Sequence, residues 1–99
     1  MTKLAYAADF FSDVDRLTEF LLQRHPENAF GLGELILDGL QTLRLHPRVG
    51  RPYKLPMREL IISRGHSGYL ALYRYNPITD EVLVMRIRHQ REAGYSMID

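Results

Sequence analysis

The 99-residue sequence contains no cysteine and no tryptophan, and only two of its 13 basic residues are lysine. The absence of cysteine excludes disulfides, thiolate nucleophiles, iron–sulfur clusters and thiolate zinc sites. No apolar run approaches the roughly 20 residues that a membrane-spanning helix needs, and the N-terminal residues lack the apolar stretch of a signal peptide. The sequence therefore predicts a globular, cytoplasmic protein that is stabilised by packing alone.

Motifs for metals and cofactors are also missing. The four histidines, His25, His46, His66 and His89, are far apart in the sequence and form no HExxH or other close metal-ligand pattern. There is no GxGxxG pattern and no Walker phosphate loop. We therefore expect neither a metal site nor a cofactor.

The charges are distributed unevenly along the chain. Residues 1–47 carry four basic and seven acidic groups, a net charge of −3, whereas residues 48–99 carry nine basic and five acidic groups, a net charge of +4. Eleven of the basic residues are arginine, whose planar guanidinium suits carboxylates and phosphates. The basic half favours an anionic partner, although arginines on exposed strand faces would also keep a small sheet soluble and blunt its edges.

The N-terminal half predicts one strand and two helices. Residues 3–8 alternate weakly and predict a strand. A first helix follows with Ser12 as its N-cap, and Pro26 ends it and begins a second helix that runs to Pro47. The second helix contains three glycines that each cost about 1 kcal/mol relative to alanine, so we expect the helix backbone to approach a neighbouring element closely at these positions. These glycines are Gly31, Gly33 and Gly39.

The hydrophobic period changes from 3.6 to 2 after residue 52. Residues 57–64, 69–76 and 81–89 predict three strands, joined by short turns at 65–68 and 77–80 that make neighbouring strands antiparallel. The fold class is α+β with the order β-α-α-β-β-β. An antiparallel helix hairpin is expected to pack on one face of a mainly antiparallel four-stranded sheet that includes the N-terminal strand. We expect residues 1–99 to form a single domain.

Side-chain alternation groups several arginines on one face of this sheet. In the last strand it places Arg86 and Arg88 on the same face as Val82 and Val84. Arg74 on the preceding strand would join them on the side that the helices leave uncovered. The three guanidiniums would then form a cationic strip that could bind phosphate or a carboxylate-rich peptide.

Residues 88–95 hold the highest density of reactive groups. His89 has a reference pKa near neutrality and could exchange a proton with a substrate, Glu92 could orient it or act as a base, and the arginines could hold a phosphate. RNA cleavage by this route needs no metal, because the 2′-hydroxyl supplies the nucleophile. The alternative is a strand end that is fixed by Arg–Glu pairs and a buried histidine.

The element order and three segments resemble the RelE/ParE superfamily of type II toxin–antitoxin toxins. The segments are residues 50–52 (GRP), 58–62 (RELII) and 87–92 (IRHQRE), with Gly94 and Tyr95 after the last of them. This last run is most similar to the ParE, or plasmid-stabilisation, branch. The resemblance covers nearly the whole chain and implies a helix hairpin laid on an antiparallel sheet.

The two branches imply different activities. ParE members poison DNA gyrase, so the resemblance predicts a growth-arresting toxin that inhibits gyrase. RelE members are ribosome-dependent endoribonucleases that cut mRNA, and a metal-independent enzyme of this type is the alternative. Its catalytic residues would be His89, Glu92 and Tyr95. The scarcity of lysine departs from the RelE pattern and weakens this alternative.

The resemblance also implies partners. Toxins of both branches are neutralised by an antitoxin whose C-terminal segment wraps over the toxin, so a hetero-oligomer with a cognate antitoxin is expected. Apolar residues on the outer side of the hairpin are expected to bind it, namely Phe20, Phe30 and Leu37. The arginines expected to meet acidic groups of the target are Arg64, Arg74, Arg86, Arg88 and Arg91.

Overall fold

The sheet in the computed structural model, which describes residues 1–64 and 67–95, has five strands. They are β1 (Lys3–Tyr6), β2 (Arg51–Pro52), β3 (Met57–Arg64), β4 (Ser67–Asn76) and β5 (Glu81–His89). Their spatial order is β1-β5-β4-β3-β2, with β1 parallel to β5 and the other pairs antiparallel. The α+β class is confirmed. The prediction of four strands is wrong, because two residues after Gly50 pair with β3 as an additional edge strand.

The helices differ in their boundaries from the prediction. They are α1 (Ala8–Arg24), α2 (Pro26–Ala29), α3 (Leu32–Leu40) and a 3₁₀ helix (Gln41–Arg44). The prediction of Ser12 as an N-cap is wrong, because α1 begins at Ala8 and the Ser12 hydroxyl donates a hydrogen bond to the Ala8 carbonyl inside the helix. Among the described residues, no helix combines the length and apolar character needed to cross a membrane.

The predicted second helix is broken near its start. Phe30 is extended and Gly31 adopts a φ of +82°, so the chain leaves α2 and enters α3 through a left-handed residue. Glycine accepts this conformation because it has no Cβ. The prediction of one continuous helix from Pro26 to Pro47 is therefore wrong.

Only one of the helical glycines makes the expected close approach. A Cβ on Gly39 would lie 2.9 Å from two side-chain carbons of Ile62 on β3, whereas nothing lies within 4 Å of a Cβ on Gly31 or Gly33. Gly39 thus allows α3 to lie directly against the sheet.

The core lies between the helices and one face of the sheet. Phe10 and Leu17 of α1 are buried there against strand residues, and Tyr73 of β4 is fully buried. The Tyr73 hydroxyl accepts a hydrogen bond from the Gly50 amide at 2.9 Å, which satisfies a polar group inside the core. Helix α3 and the 3₁₀ helix contribute Leu32, Ile36, Leu40 and Leu43.

A β-bulge in β5 changes which residues share a face. Leu72 pairs with Arg86 but the next residue, Tyr73, pairs with Val84, so Met85 is the extra residue. Val82 and Val84 are consequently buried in the core, while Arg86 lies on the opposite face. The prediction that these valines share a face with Arg86 is wrong, because strict alternation does not continue through the bulge.

Candidate functional site

A cleft lies on the sheet face that the helices leave uncovered, and we call it the open-face cleft. Its volume is about 660 Å³. Side chains of β4 and β5 form an apolar floor, and two tyrosines and a lysine form part of its walls. It is lined by Ala7, Asp9, Tyr53, Lys54, Met57, Leu72, Leu83, Met85, Arg86, Gly94 and Tyr95.

Asp13 fixes Arg86 at the edge of this cleft. Strand β1 ends at Tyr6, so the later part of β5 has no strand partner on that side. The buried Asp13 carboxylate accepts a hydrogen bond from the Ile87 amide at 3.0 Å and pairs with the Arg86 guanidinium at 2.7 Å and 3.0 Å. The hydrogen bond to Asp13 raises the pKa of Arg86. The Asp13 carboxylate therefore satisfies the Ile87 amide, which has no strand partner on that side, and it holds the Arg86 side chain in place.

Glu59 of β3 organises a second cluster on the same face. Its carboxylate is buried, with its side chain 3% exposed, and it accepts two hydrogen bonds from Arg51 at 2.9 Å and 3.1 Å. It also accepts a hydrogen bond from the Tyr95 hydroxyl at 2.6 Å and lies 3.8 Å from an Arg88 nitrogen. Burial and the hydrogen bond to Glu59 raise the pKa of Tyr95 above its ordinary value. Tyr95 is thus a fixed, protonated phenol.

The predicted target-binding arginines are only partly brought together. Arg86 and Arg88 both lie against the Tyr95 ring, with their guanidinium carbons 6.0 Å and 5.2 Å from its centroid. Arg74 is exposed on β4, in register with Leu83 of the cleft. Arg91 lines a different recess on the helix side. The side chain of Arg64 lies outside the described residues.

The second recess lies between α1 and the ends of β4 and β5, and we call it the helix-side pocket. Its volume is about 610 Å³. Its lining combines apolar side chains of α1 with polar residues that follow β5. It is lined by Arg16, Leu17, Phe20, Leu21, His25, Tyr69, His89, Arg91 and Glu92.

His89 and Glu92 are held by local contacts in this pocket. The His89 ring lies edge-on to Tyr69 at 5.3 Å, and its Nδ1 accepts a hydrogen bond from the Arg91 amide at 3.1 Å. Burial, assisted by the charge of Arg91, lowers the pKa of His89. Glu92 accepts hydrogen bonds from the His89 amide and from Arg16. These contacts match the alternative of a strand end fixed by Arg–Glu pairing.

Of the three candidate catalytic residues, His89 and Glu92 share the helix-side pocket, whereas Tyr95 lines the open-face cleft. His89 pairs with Tyr69, whose side chain belongs to the core on the helix side. Tyr95 lies on the other side of the sheet, because it is bonded to Glu59 and lines the cleft with Leu72, the residue that pairs with Glu59. A substrate in either recess would meet one of these side chains without the other.

Comparison with known proteins identifies the family. The ParE toxins of type II toxin–antitoxin systems, parDE, match residues 4–94 of the chain. The chain belongs to this toxin family. It is 40% identical to Toxin RelE3 of Caulobacter vibrioides over 80 aligned residues. The alignment covers 81% of this chain and 85% of that relative. The chain is thus a type II toxin of the RelE/ParE superfamily.

Solved toxin–antitoxin complexes share the fold of this toxin. A chain of the chromosomal ParDE system from P. aeruginosa superposes with a TM-score of 0.72 and 22% identity, covering 90% of this chain and 96% of that one. A chain of the intact E. coli RelBE complex superposes with a TM-score of 0.66 and 15% identity, covering 93% of this chain and 100% of that one. The resemblance to the RelE/ParE superfamily is confirmed.

The residues predicted to bind an antitoxin are all exposed on the toxin surface, but they do not form one recess. The exposed fractions are 52% for Phe20, 84% for Phe30 and 41% for Leu37. Phe20 lines the helix-side pocket, whereas Phe30 and Leu37 are not part of its lining.

Sequence reasoning missed the two carboxylates that organise the toxin's arginines. Asp13 lies four residues before the buried Leu17, a spacing that places both on the inner face of α1. Glu59 directly precedes the apolar residues 60–62 of β3, and a charged residue there calls for a partner when the strand is buried. Within residues 1–64 and 67–95, no three histidine or acidic side chains are grouped so that they could hold a metal ion.

Proposed function

We propose that the protein is a ParE-like toxin that arrests growth by binding DNA gyrase through the open-face cleft. The observation that carries the proposal is the separation of His89 and Tyr95 on opposite sides of the sheet. If His89 and Tyr95 served as the acid and base of one reaction, both would have to lie within hydrogen-bond reach of one substrate. A toxin that acts by binding a protein needs no such site, and the match to ParE toxins supports gyrase as the target.

The chemistry of the cleft favours a protein surface as the target. Its floor contains Leu72, Leu83 and Met85, and the aromatic rings of Tyr53 and Tyr95 stand beside it 5.9 Å apart. Apolar floors with tyrosine at the side are typical of protein interfaces. Arg86 and Arg88 already have carboxylate partners, which leaves Lys54 and Arg74 as exposed cations for acidic groups of the target.

An antitoxin is the second proposed partner. The family is that of the ParE toxins of type II toxin–antitoxin systems, and the structural neighbours come from systems of this kind. The exposed apolar residues of the helices, including Phe20, Phe30 and Leu37, supply a surface that such a partner would cover. We therefore propose a hetero-oligomer in which the antitoxin binds the helix side.

Growth arrest after induced expression tests the target assignment. We expect Lys54→Glu with Arg74→Glu to abolish arrest, because the cations beside the cleft would repel an acidic surface. Arg48→Glu is the matched control, since Arg48 is also exposed but stacks on the Tyr75 ring at 4.9 Å. We expect His89→Ala to retain arrest. Arrest that survives the double change, or is lost with His89→Ala at equal protein level and intact fold, would contradict the proposal.

A RelE-type ribonuclease is the second candidate, and one observation favours it. The relative that shares 40% identity is named Toxin RelE3. In this case the toxin would cleave mRNA on translating ribosomes, and mapping of cleaved messages after induction would detect it.

A further inference from the structure

Three arginines of the sheet lie on the face of the open-face cleft, and a buried carboxylate lies among them. The register places Arg51 of β2 beside Glu59 of β3. In the same row, Leu72 of β4 lies between Glu59 and Arg86 of β5. Arg88 lies two residues further along β5, with a guanidinium nitrogen 3.8 Å from Glu59. Without its acid, this face would present a cluster of guanidiniums.

The acids that pair with these arginines come from two places. Asp13 of α1 reaches Arg86 from the edge of the sheet. Among residues 1–64 and 67–95, Glu59 is the one carboxylate paired with Arg51 and Arg88, and it accepts hydrogen bonds from Arg51 at 2.9 Å and 3.1 Å. Glu59 is therefore the internal counter-charge of two guanidiniums beside the cleft.

The pair of Arg51 and Glu59 reaches the surface of the protein. The Arg51 side chain is 55% exposed, whereas the Glu59 side chain is 3% exposed. Two nitrogens of Arg51 and the Tyr95 hydroxyl donate hydrogen bonds to this carboxylate. Guanidiniums and phenol hydroxyls are also the donors that contact phosphate oxygens in complexes with nucleic acids. Glu59 thus uses the donors that a phosphate group would need.

We propose that Glu59 is a specificity-determining residue that prevents the open face from binding the phosphate backbone of RNA. A phosphodiester would have to displace a carboxylate that is already bonded, and it would meet the negative charge of that carboxylate. Sites discriminate by repelling the wrong partner as well as by contacting the right one. This inference rests on the proposed function, in which the open-face cleft binds a protein surface, and it names the residue that excludes nucleic acid.

Fluorescence anisotropy of a labelled single-stranded octauridylate, titrated with the full chain, tests this proposal. We expect Glu59→Gln to bind this RNA about tenfold more tightly than the parent protein at low salt, because the change removes a negative charge and frees guanidinium donors. The plot of log K against log salt should become steeper by about 0.7, the value for one added phosphate contact on a single strand.

Glu34→Gln is the matched control for this change. It removes the same charge from an exposed position on α3, on the helix side of the sheet, and should keep the parent affinity for the RNA. The double variant Glu59→Gln, Arg51→Gln should also return to the parent affinity, because the freed guanidinium is removed as well.

Arg51→Gln alone keeps the proposal testable if Glu59→Gln does not fold, as judged by circular dichroism. Because Glu59 already neutralises Arg51, this variant should bind the RNA like the parent protein. Parent-level affinity of folded Glu59→Gln, an equal gain for Glu34→Gln, or weaker RNA binding by Arg51→Gln alone would overturn the proposal. The titration contains no gyrase, so a toxin that leaves gyrase active would not change these affinities, and the two proposals fail separately.

Discussion

At the scale of single residues, carboxylates decide where the arginines lie. The Asp13 and Glu59 side chains are 5% and 3% exposed, and each is bonded to several donors. A buried carboxylate is tolerated only when it is paired or hydrogen-bonded. Arg86 and Arg88 are consequently held in place by these acids, which also reduces the charge they offer to a phosphate.

Replacement of Asp13 should show how much this pairing contributes to stability. Asp13→Ala removes the acceptor for the Ile87 amide and the counter-charge of Arg86, whose side chain is only 13% exposed. We expect the free energy of unfolding in urea to fall by about 3–5 kcal/mol, the usual cost of breaking a buried pair from one side. Asp15→Ala, an exposed site on the same helix, should stay within about 0.5 kcal/mol of the parent protein. Similar losses for the two variants would contradict this account.

His89 should make stability depend on pH. Burial holds its pKa below the ordinary 6.5, and its Nδ1 accepts a hydrogen bond that only the unprotonated nitrogen can accept. Below about pH 6.5 the unfolded chain binds a proton that the folded chain excludes, so stability falls as the pH drops from 6.5 towards the folded pKa. Urea denaturation at several pH values should show that the free energy of unfolding declines less towards low pH for His89→Gln than for the parent protein. Parallel curves would refute the role of His89.

The sequence indicated some of these residues and not others. Alternation correctly grouped Arg86 with Arg88, because the bulge at Met85 lies before both of them. The partners of these arginines could not be predicted from the sequence, since Asp13 and Arg86 are 73 positions apart. Such contacts depend on how α1 lies across the edge of β5, and no local pattern encodes that placement.

At the scale of elements, strand boundaries were more predictable than helix boundaries. The bounds of β3 and β5 agree with the period-2 pattern of residues 57–64 and 81–89. The helix pattern could not reveal the break at Gly31, because the apolar spacing continues from Ala29 through Leu32 to Ile36. β2 could not be predicted, since its two residues are too few to show the alternation of a strand.

Two glycines of α3 provide a matched test of how this helix packs. Gly39→Ala would place a Cβ 2.9 Å from the buried Ile62 side chain, so we expect a loss of about 1–3 kcal/mol from overpacking. Gly33→Ala meets no atom within 4 Å and should raise stability by about 0.5–1 kcal/mol through helix propensity. Thermal and urea unfolding measure both. Equal effects of the two changes would show that α3 does not press on β3 at Gly39.

At the scale of the whole molecule, the sheet separates two recesses of different character. The open-face cleft has an apolar floor with aromatic walls, whereas the lining of the helix-side pocket combines apolar side chains with two arginines, two histidines and a glutamate. The order of elements and the segments around residues 50–62 and 87–95 were sufficient for the family. They were not sufficient to predict which side chains face each recess, because the bulge and the hydrogen bond from Tyr95 to Glu59 determine this.

Supercoiling of relaxed plasmid DNA by purified gyrase, with the purified toxin added, tests the central claim most directly. We predict that stoichiometric toxin inhibits supercoiling, and that the Lys54→Glu, Arg74→Glu variant does not, while Arg48→Glu inhibits like the parent protein. The same preparations should leave mRNA intact on translating ribosomes. Unaffected gyrase at excess toxin, together with cleavage of ribosome-bound mRNA, would contradict the account and establish the ribonuclease instead.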